Sequence, residues 1–305
     1  MTVARTTVFL ASDLHFATKH DENLLQALLA EISALRATGS QCALIVPGDF
    51  TQKAKRADYW AASAWLQEVV QTGAAVVTTP GNHDFGGLSG MLPGFKRKAR
   101  RRYREYVRGP VQRGGDGRHD WFSRFGTGSE RDDSVTVVGG EVFIALRSIH
   151  KASPGWRWGH RPPYRVRKNQ LKWAKERLNA IRSERRIRGV HLVTHIPIWK
   201  RSSGFPGVNQ FSIVQARRRR LEDRLLLPLG VDTFIHGHDH LFHPPNAVLP
   251  KSGRSIYRLA VPTLSARNRG GHPSGYLRWI PGEEPVAVTA RHPQGIAILE
   301  LLGGL

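Results

Sequence analysis

Thr6-Thr-Val-Phe-Leu-Ala-Ser-Asp-Leu-His15 and Ala43-Leu-Ile-Val-Pro-Gly-Asp49 decide how this chain folds. In each, an apolar run long enough for a buried strand and too short for a helix stops just before an aspartate. Ala74-Ala-Val-Val-Thr78 repeats the pattern and runs into Pro80-Gly-Asn-His-Asp84. Between these runs, Asp21 to Ala37 places Leu24, Leu25, Leu28, Leu29, Ile32 and Leu35 at helical spacing, and Ala57 to Thr72 does so with Trp60, Ala64, Trp65 and Val69. Strand and helix in alternation predict βαβ units and a largely parallel sheet. Each acidic or histidine motif then falls at the carboxyl end of a strand, where open α/β sheets form their ligand crevices.

Further along, Ser134 to Arg147 predicts a hairpin around Gly139-Gly140. Arg167 to Ser183 reads as a helix, Val190 to Val193 as a strand delivering His195, and Val231 to Ile235 as a strand delivering His238 and His240. Strand-like pieces near Ser255 to Ala260, Tyr276 to Ile280, Val286 to Ala290 and Ile296 to Leu299 are expected to complete a second sheet. Residues 1–305 read as a single domain, with a glycine-rich, basic insertion or cap at about 86–133.

Composition narrows the class. An apolar share of 40% supports a sizeable core. No apolar run reaches the roughly 20 residues that span a bilayer. The one cysteine, Cys42, lies in an apolar run and reads as a buried structural thiol, which suits a cytoplasmic location. Lys and Arg total 46 against 24 acids, a net charge of +22 that attracts polyanions. The excess is concentrated in Lys96 to Arg108, Arg182 to Arg188 and Arg217 to Arg220.

The motifs carry metal chemistry. Asp13 and His15, two apart, project to one side if the strand continues, so that a carboxylate and an imidazole can share a cation. Carboxylate with imidazole suits Mn, Fe, Zn or Co, and no cysteine cluster offers a softer site. Asp49 can bridge two cations, offsetting their mutual repulsion at a separation of roughly 3.5 to 4 Å. Asn82 offers an uncharged ligand oxygen. His83 beside it is left for catalysis, since an imidazole there can stabilise phosphoryl oxygens or protonate a leaving group. His195 follows a strand; His238 and His240 alternate towards a common site, and His236 reads as a supporting or core histidine.

Asp13-x-His15, Gly48-Asp49, Gly81-Asn-His-Asp84, His195 and Gly237-His-x-His240, in this order, resemble the calcineurin-like metallophosphoesterase superfamily. Gly48-Asp-Phe-Thr51, Gln170-Leu-Lys-Trp173 and His195-Ile-Pro197 are similar to its cyclic-nucleotide phosphodiesterase-like (class III) branch. The resemblance implies a four-layer αββα sandwich of two mixed β-sheets flanked by helices. It also implies two divalent or trivalent transition-metal ions, one held by Asp13, His15, Asp49 and His240, the other by Asp49, Asn82, His195 and His238. His83 is then the catalytic histidine and Asp84 its orienter. Gln52 departs from the acidic or Asn residue that many members carry three positions after the bridging aspartate, which puts substrate choice in question. The implied activity is hydrolysis of phosphate esters, phosphodiesters foremost, by in-line attack of a metal-bridging hydroxide. Other readings are a nuclease acting on DNA or RNA through the basic surface, a phosphomonoesterase, and a non-catalytic metal-binding scaffold. The last predicts missing ligands, and all seven are present.

Overall fold

A computed structural model describes residues 5–16, 21–86, 93–113, 118–121, 132–150, 166–197, 226–238, 240, 246–248, 255–265, 274–291 and 295–299. The first half alternates as expected: β1 (Thr7–Leu10), α1 (Glu22–Ala37), β2 (Cys42–Val46), α2 (Arg56–Gln71) and β3 (Ala75–Thr78). Asp21 caps α1 by accepting from Leu24 N at 3.2 Å, satisfying one of the helix's unpaired donors. Then come α3 (Pro93–Arg102), a π-helical turn Tyr103–Arg108 and α4 (Gly109–Arg113). These are followed by β4 (Arg118–Trp121), β5 (Ser134–Val138), β6 (Glu141–Ala145), α5 (Lys168–Glu184), β7 (Gly189–Thr194) and β8 (Thr233–His236). The last strands are β9 (Asn246–Val248), β10 (Ile256–Ala260), β11 (Gly275–Trp279), β12 (Val286–Arg291) and β13 (Gly295–Leu299).

Two mixed sheets result, ordered β13-β12-β11-β1-β2-β3 and β4-β5-β6-β7-β8-β10-β9. The C-terminal strands therefore do not all complete the second sheet. β9 and β10 join it, while β11 returns to pair antiparallel with β1, Val8 opposite Trp279, and brings β12 and β13 into the first sheet. β1 would otherwise expose its backbone at an edge, and β11 covers it.

Side-chain alternation sorts the layers. Val8, Leu10, Ala43, Ile45, Ala75 and Val77 pack with Phe143, Ala145, Val193 and Ile235 in one cluster between the sheets. On the opposite faces, Phe9, Leu44 and Val76 join Leu24, Leu28 and Ile32 of α1 and Trp65 and Val69 of α2, while Ile144, Leu192 and Phe234 join Trp173 and Leu178 of α5. Helix, sheet, sheet, helix is the four-layer order expected. Gly139 and Gly140 turn β5 into β6 with φ of 57° and 89°, the left-handed pair that a tight hairpin requires. Cys42 is buried and free. Among the described residues no helix is long and apolar enough to cross a membrane.

Residues 93–113 form a continuous helical stretch that buries Ala99, Tyr103, Val107 and Val111 at four-residue spacing. Arg182 to Arg188 runs from the end of α5 into β7, and Arg217 to Arg220 lies outside the described residues.

A buried carboxyl pins α5 to the end of β6. Asp133 Oδ1 accepts from Arg147 N at 2.6 Å and from Gln170 Nε2 at 2.9 Å. Burial pushes its pKa up to about 7, against the pull of Arg147. The unfolded value is about 3.9, so the stability linked to this proton is full below about pH 4 and is lost as pH rises to about 7. Asparagine keeps the accepting oxygen and carries no charge. Asp133→Asn should therefore melt about 2 to 4 °C above the parent at pH 8, with the gain vanishing near pH 4. A gain equal at both pH values in thermal melts would refute the assignment.

Candidate metal centre

The motif loops meet because their backbones run side by side. Asp13 N donates to Gly48 O at 3.1 Å, His15 N to Asp49 O at 3.0 Å and Phe16 N to Phe50 O at 2.9 Å. β1 does not continue through Asp13, as side-chain alternation alone would require. Asp13, His15, Asp49, His238 and His240 instead take left-handed backbone, with φ of 52°, 47°, 55°, 74° and 54°. Among the described non-glycine residues only Ala54 joins them. Each such residue costs on the order of 1–3 kcal/mol, which the surrounding structure must hold in place.

The motif glycines are fixed by close approach. A Cβ on Gly81 would sit 2.0 Å from Asp49 Oδ1, and one on Gly237 would sit 2.1 Å from Ser12 Oγ. Neither position has room for any side chain, so the Gly81-Asn82 and Gly237-His238 loops can press against the aspartates of the neighbouring loops.

Each aspartate spends one oxygen on the scaffold. Asp13 Oδ2 accepts from Ser12 Oγ at 2.6 Å and His238 N at 3.1 Å; Asp49 Oδ1 accepts from His83 N at 2.7 Å. The other oxygens, Asp13 Oδ1 and Asp49 Oδ2, are buried and accept from no backbone or hydroxyl donor. Imidazoles converge on them: His240 Nε2 lies 3.0 Å from Asp13 Oδ1, and His195 Nε2 lies 3.4 Å from Asp49 Oδ2. His15 Nε2 and His240 Nε2 are 3.3 Å apart, and His195 Nε2 is 3.0 Å from Asn82 Oδ1. His195 Nδ1 lies 2.8 Å from Pro47 O and donates to it, which leaves Nε2 as the lone-pair nitrogen of the neutral ring. The His238 ring stands 5.1 Å from that of His195. All seven expected ligands thus gather at one place, and two groups, Asp13–His15–His240 and Asp13–Asp49–His195, have donor atoms within 4.8 Å of one another.

The charges call for cations. Burial lowers the His15, His195, His238 and His240 imidazoles; it prevails at His15, at about 4, and at His238, at about 3. At His195 the Asp49 carboxylate outweighs burial and lifts the ring to about 9, and Asp13 does the same in direction at His240. Both aspartates, which burial alone would raise, are held well below the usual carboxylate range by His240 and His195 respectively. Protons on two imidazoles balance two buried carboxylates, and divalent ions would replace those protons on binding. Buried carboxylate oxygens and imidazole nitrogens converging on one place, with protons that a cation can replace, fit a metal centre of carboxylate and imidazole ligands.

Asp84 does not orient His83. Its carboxylate accepts from Thr51 N at 3.0 Å and Gly81 N at 2.9 Å, tying the loop after β2 to the loop after β3, and Tyr59 OH donates to its carbonyl. Burial and the nearby Asp49 charge raise it to about 7. A carboxylate facing two backbone donors has turned away from the neighbouring ring. His83 is held by Gln52, whose carbonyl lies 2.8 Å and whose Nε2 lies 3.2 Å from Nδ1. The signal for this was the departure at Gln52, three residues after Asp49. His236 supports the last loop, with Nδ1 2.9 Å from Gly237 O and Arg258 Nε donating to Nε2 at 2.9 Å. Buried His150 and His191 bind Arg147 and Glu141 away from the ligand set.

A solved structure shares this architecture. A purple acid phosphatase from yellow lupin (Lupinus luteus) seeds superposes with a TM-score of 0.56 at 14% identity, over 95% of this chain and 50% of that one. A 5'-nucleotidase precursor from Thermus thermophilus superposes at 0.47 with 15% identity, over 90% of this chain and 50% of that one. The chain thus spans about half the length of these solved structures. No curated protein sequence matches it. Residues 6–242 match the profile described as calcineurin-like phosphoesterase, a span that runs from the start of the first sheet to just past His240. The order of motifs, the two-sheet sandwich and this match over most of the sequence agree: the chain belongs to the calcineurin-like phosphoesterase family.

Proposed function

We propose that the chain is a dinuclear-metal-dependent phosphoric ester hydrolase that prefers phosphodiesters. The observation that carries this reading is the pair of buried carboxylate oxygens, Asp13 Oδ1 and Asp49 Oδ2, that accept from no backbone or hydroxyl donor while histidine nitrogens close on them at 3.0 and 3.4 Å. In this reading Asp13, His15, Asp49 and His240 hold one ion, and Asp49, Asn82, His195 and His238 the other. Manganese, iron, zinc and cobalt all suit these ligands. When bound, such ions supply Lewis acidity and make a coordinated water acidic enough to act near neutral pH.

The remaining work falls to the chain's own groups. Gln52 anchors His83 through Nδ1, so the opposite nitrogen, Nε2, is the one available to an ester. There it steadies the phosphoryl oxygens and gives a proton to the departing alcohol as the P–O bond breaks and the oxygen of water joins phosphorus. Asp84 keeps the two loops that carry Asp49 and His83 in register. Residues 86–133 act as a basic insertion or cap on a single domain. The preference for diesters rests on the likeness of Gly48-Asp-Phe-Thr51, Gln170-Leu-Lys-Trp173 and His195-Ile-Pro197 to the cyclic-nucleotide phosphodiesterase-like branch.

A substrate panel with added manganese tests this reading. Bis-p-nitrophenyl phosphate and cyclic nucleotides should be hydrolysed with higher kcat/KM than p-nitrophenyl phosphate. Faster turnover of the monoester would overturn the diester preference. No turnover of any ester by protein shown to contain metal would overturn the hydrolase reading itself.

A further inference from the structure

The basic stretch after β3 packs against the motif loops. Arg102 Nη1 donates to Ala54 O at 2.7 Å, and the Arg100 guanidinium stands 5.8 Å over the Phe85 ring, two residues from His83. Arg104 and Arg147 hold buried Asp132 at 2.8 and 2.6 Å, which anchors this helical stretch to the second sheet. Lys98 precedes Arg102 by one helical turn, so it shares the face that meets the 51–55 loop. That loop exposes Lys53 and Lys55, and Lys53 follows Gln52, the residue that holds His83. The path continues into α2. Arg56 Nε donates to Tyr106 OH at 3.0 Å, and the Tyr106 ring stacks on Tyr59 with centroids 6.4 Å apart. One turn beyond Arg56 stands Trp60, 70% exposed. A large indole left mostly in water, one helical turn from a cation, is unusual on a protein surface.

Lys53, Lys55, Arg56, Arg97, Lys98 and Arg101 are all exposed, and among the described residues none of them forms an ion pair with an acid. Arg97 and Arg101 are one turn apart on α3. Exposed Glu105 is the acid beside Arg56. Six exposed cations against so little opposing charge attract polyanions. Exposed cations can follow a phosphate backbone, and an exposed indole offers a stacking surface to an unpaired base.

We infer that the exposed ridge formed by the 51–55 loop, the first turns of α2 and the outer face of α3 binds single-stranded nucleic acid beside the metal centre. The ridge names the substrate class of the proposed hydrolase and rests on that reading for its catalytic consequence. A strand lying on it presents successive phosphodiesters near His83. A duplex gains less, because its bases are already stacked and cannot use Trp60.

Fluorescence anisotropy on the intact protein with EDTA, using a labelled oligothymidylate of about 15 nucleotides, separates binding from cleavage. Binding should weaken with salt. Lys55→Gln with Lys98→Gln should reduce affinity about tenfold and flatten the slope of log affinity against log salt by about 1.4. Trp60→Ala should reduce affinity about tenfold with the slope unchanged. All three substitutions lie outside the metal ligands, and turnover of bis-p-nitrophenyl phosphate should stay at the parental rate. Absent oligonucleotide binding, parental affinity in both variants, or equal affinity for the matching duplex would overturn the inference. So would binding to phosphatidylserine vesicles that Trp60→Ala abolishes, since the indole would then serve a membrane. Failure of the hydrolase reading shows separately, as absent turnover of the small esters.

Discussion

Asp49→Ala should lose bound metal and phosphoesterase activity together, with the rate falling by at least about 10³-fold, because in the proposed site one substitution removes a ligand from both cations. The size of the effect follows from its position. Asp49 Oδ2 is buried with no backbone or hydroxyl donor, and His195, 3.4 Å away, would lose the charge that keeps its ring protonated in the absence of metal. Asp49 Oδ1 also receives His83 N at 2.7 Å, so alanine disturbs the loop that carries His83 as well. Asp49→Asn separates the two effects. An amide oxygen can still accept from His83 N, so the loop should keep its place while the charge is gone. Elemental analysis should then show depleted metal in both variants, and thermal melting should show the larger loss of stability for alanine. A fully active Asp49→Ala would refute the bridging role.

His83→Ala should keep its metal and lose about 10²- to 10⁴-fold in kcat, the range expected when a positioned proton donor is removed. The leaving group reports on the role. Nitrophenolate departs readily without a proton, whereas an alkoxide does not, so the loss should be greater for an alkyl diester than for bis-p-nitrophenyl phosphate. Equal losses on both esters would assign His83 to holding the phosphoryl oxygens. Loss of metal would make it a ligand instead, which its ring contacts oppose, since Nδ1 is taken up by Gln52 at 2.8 Å.

Local pattern made much of the fold legible. Apolar runs in β1, β2 and β3 and the helical spacing of α1 and α2 reflect burial on one or both faces, which leaves a period in the chain wherever an element packs. The outcome for β11 to β13 was different. Their period announced strands, yet pairing with β1 depends on which open edge lies within reach, and no local period records that. The helical stretch 93–113 was muted by its arginines, because half of its surface is charged and only Ala99, Tyr103, Val107 and Val111 mark the buried stripe.

By itself the sequence determined the donor types, their order, and their location at strand ends, because strands and the turns that follow them are written in neighbouring residues. Only the tertiary structure decided how those donors converge. His15 meets His240 across 225 positions at 3.3 Å, the ligands take left-handed backbone instead of an extended strand, and His83 is held by Gln52 rather than by Asp84. Tertiary packing likewise brought the basic helix against the motif loops. Contacts of this kind arise from loops pressed together at the edge of two packed sheets. Their strain is carried by the whole fold, so no single stretch of sequence encodes them.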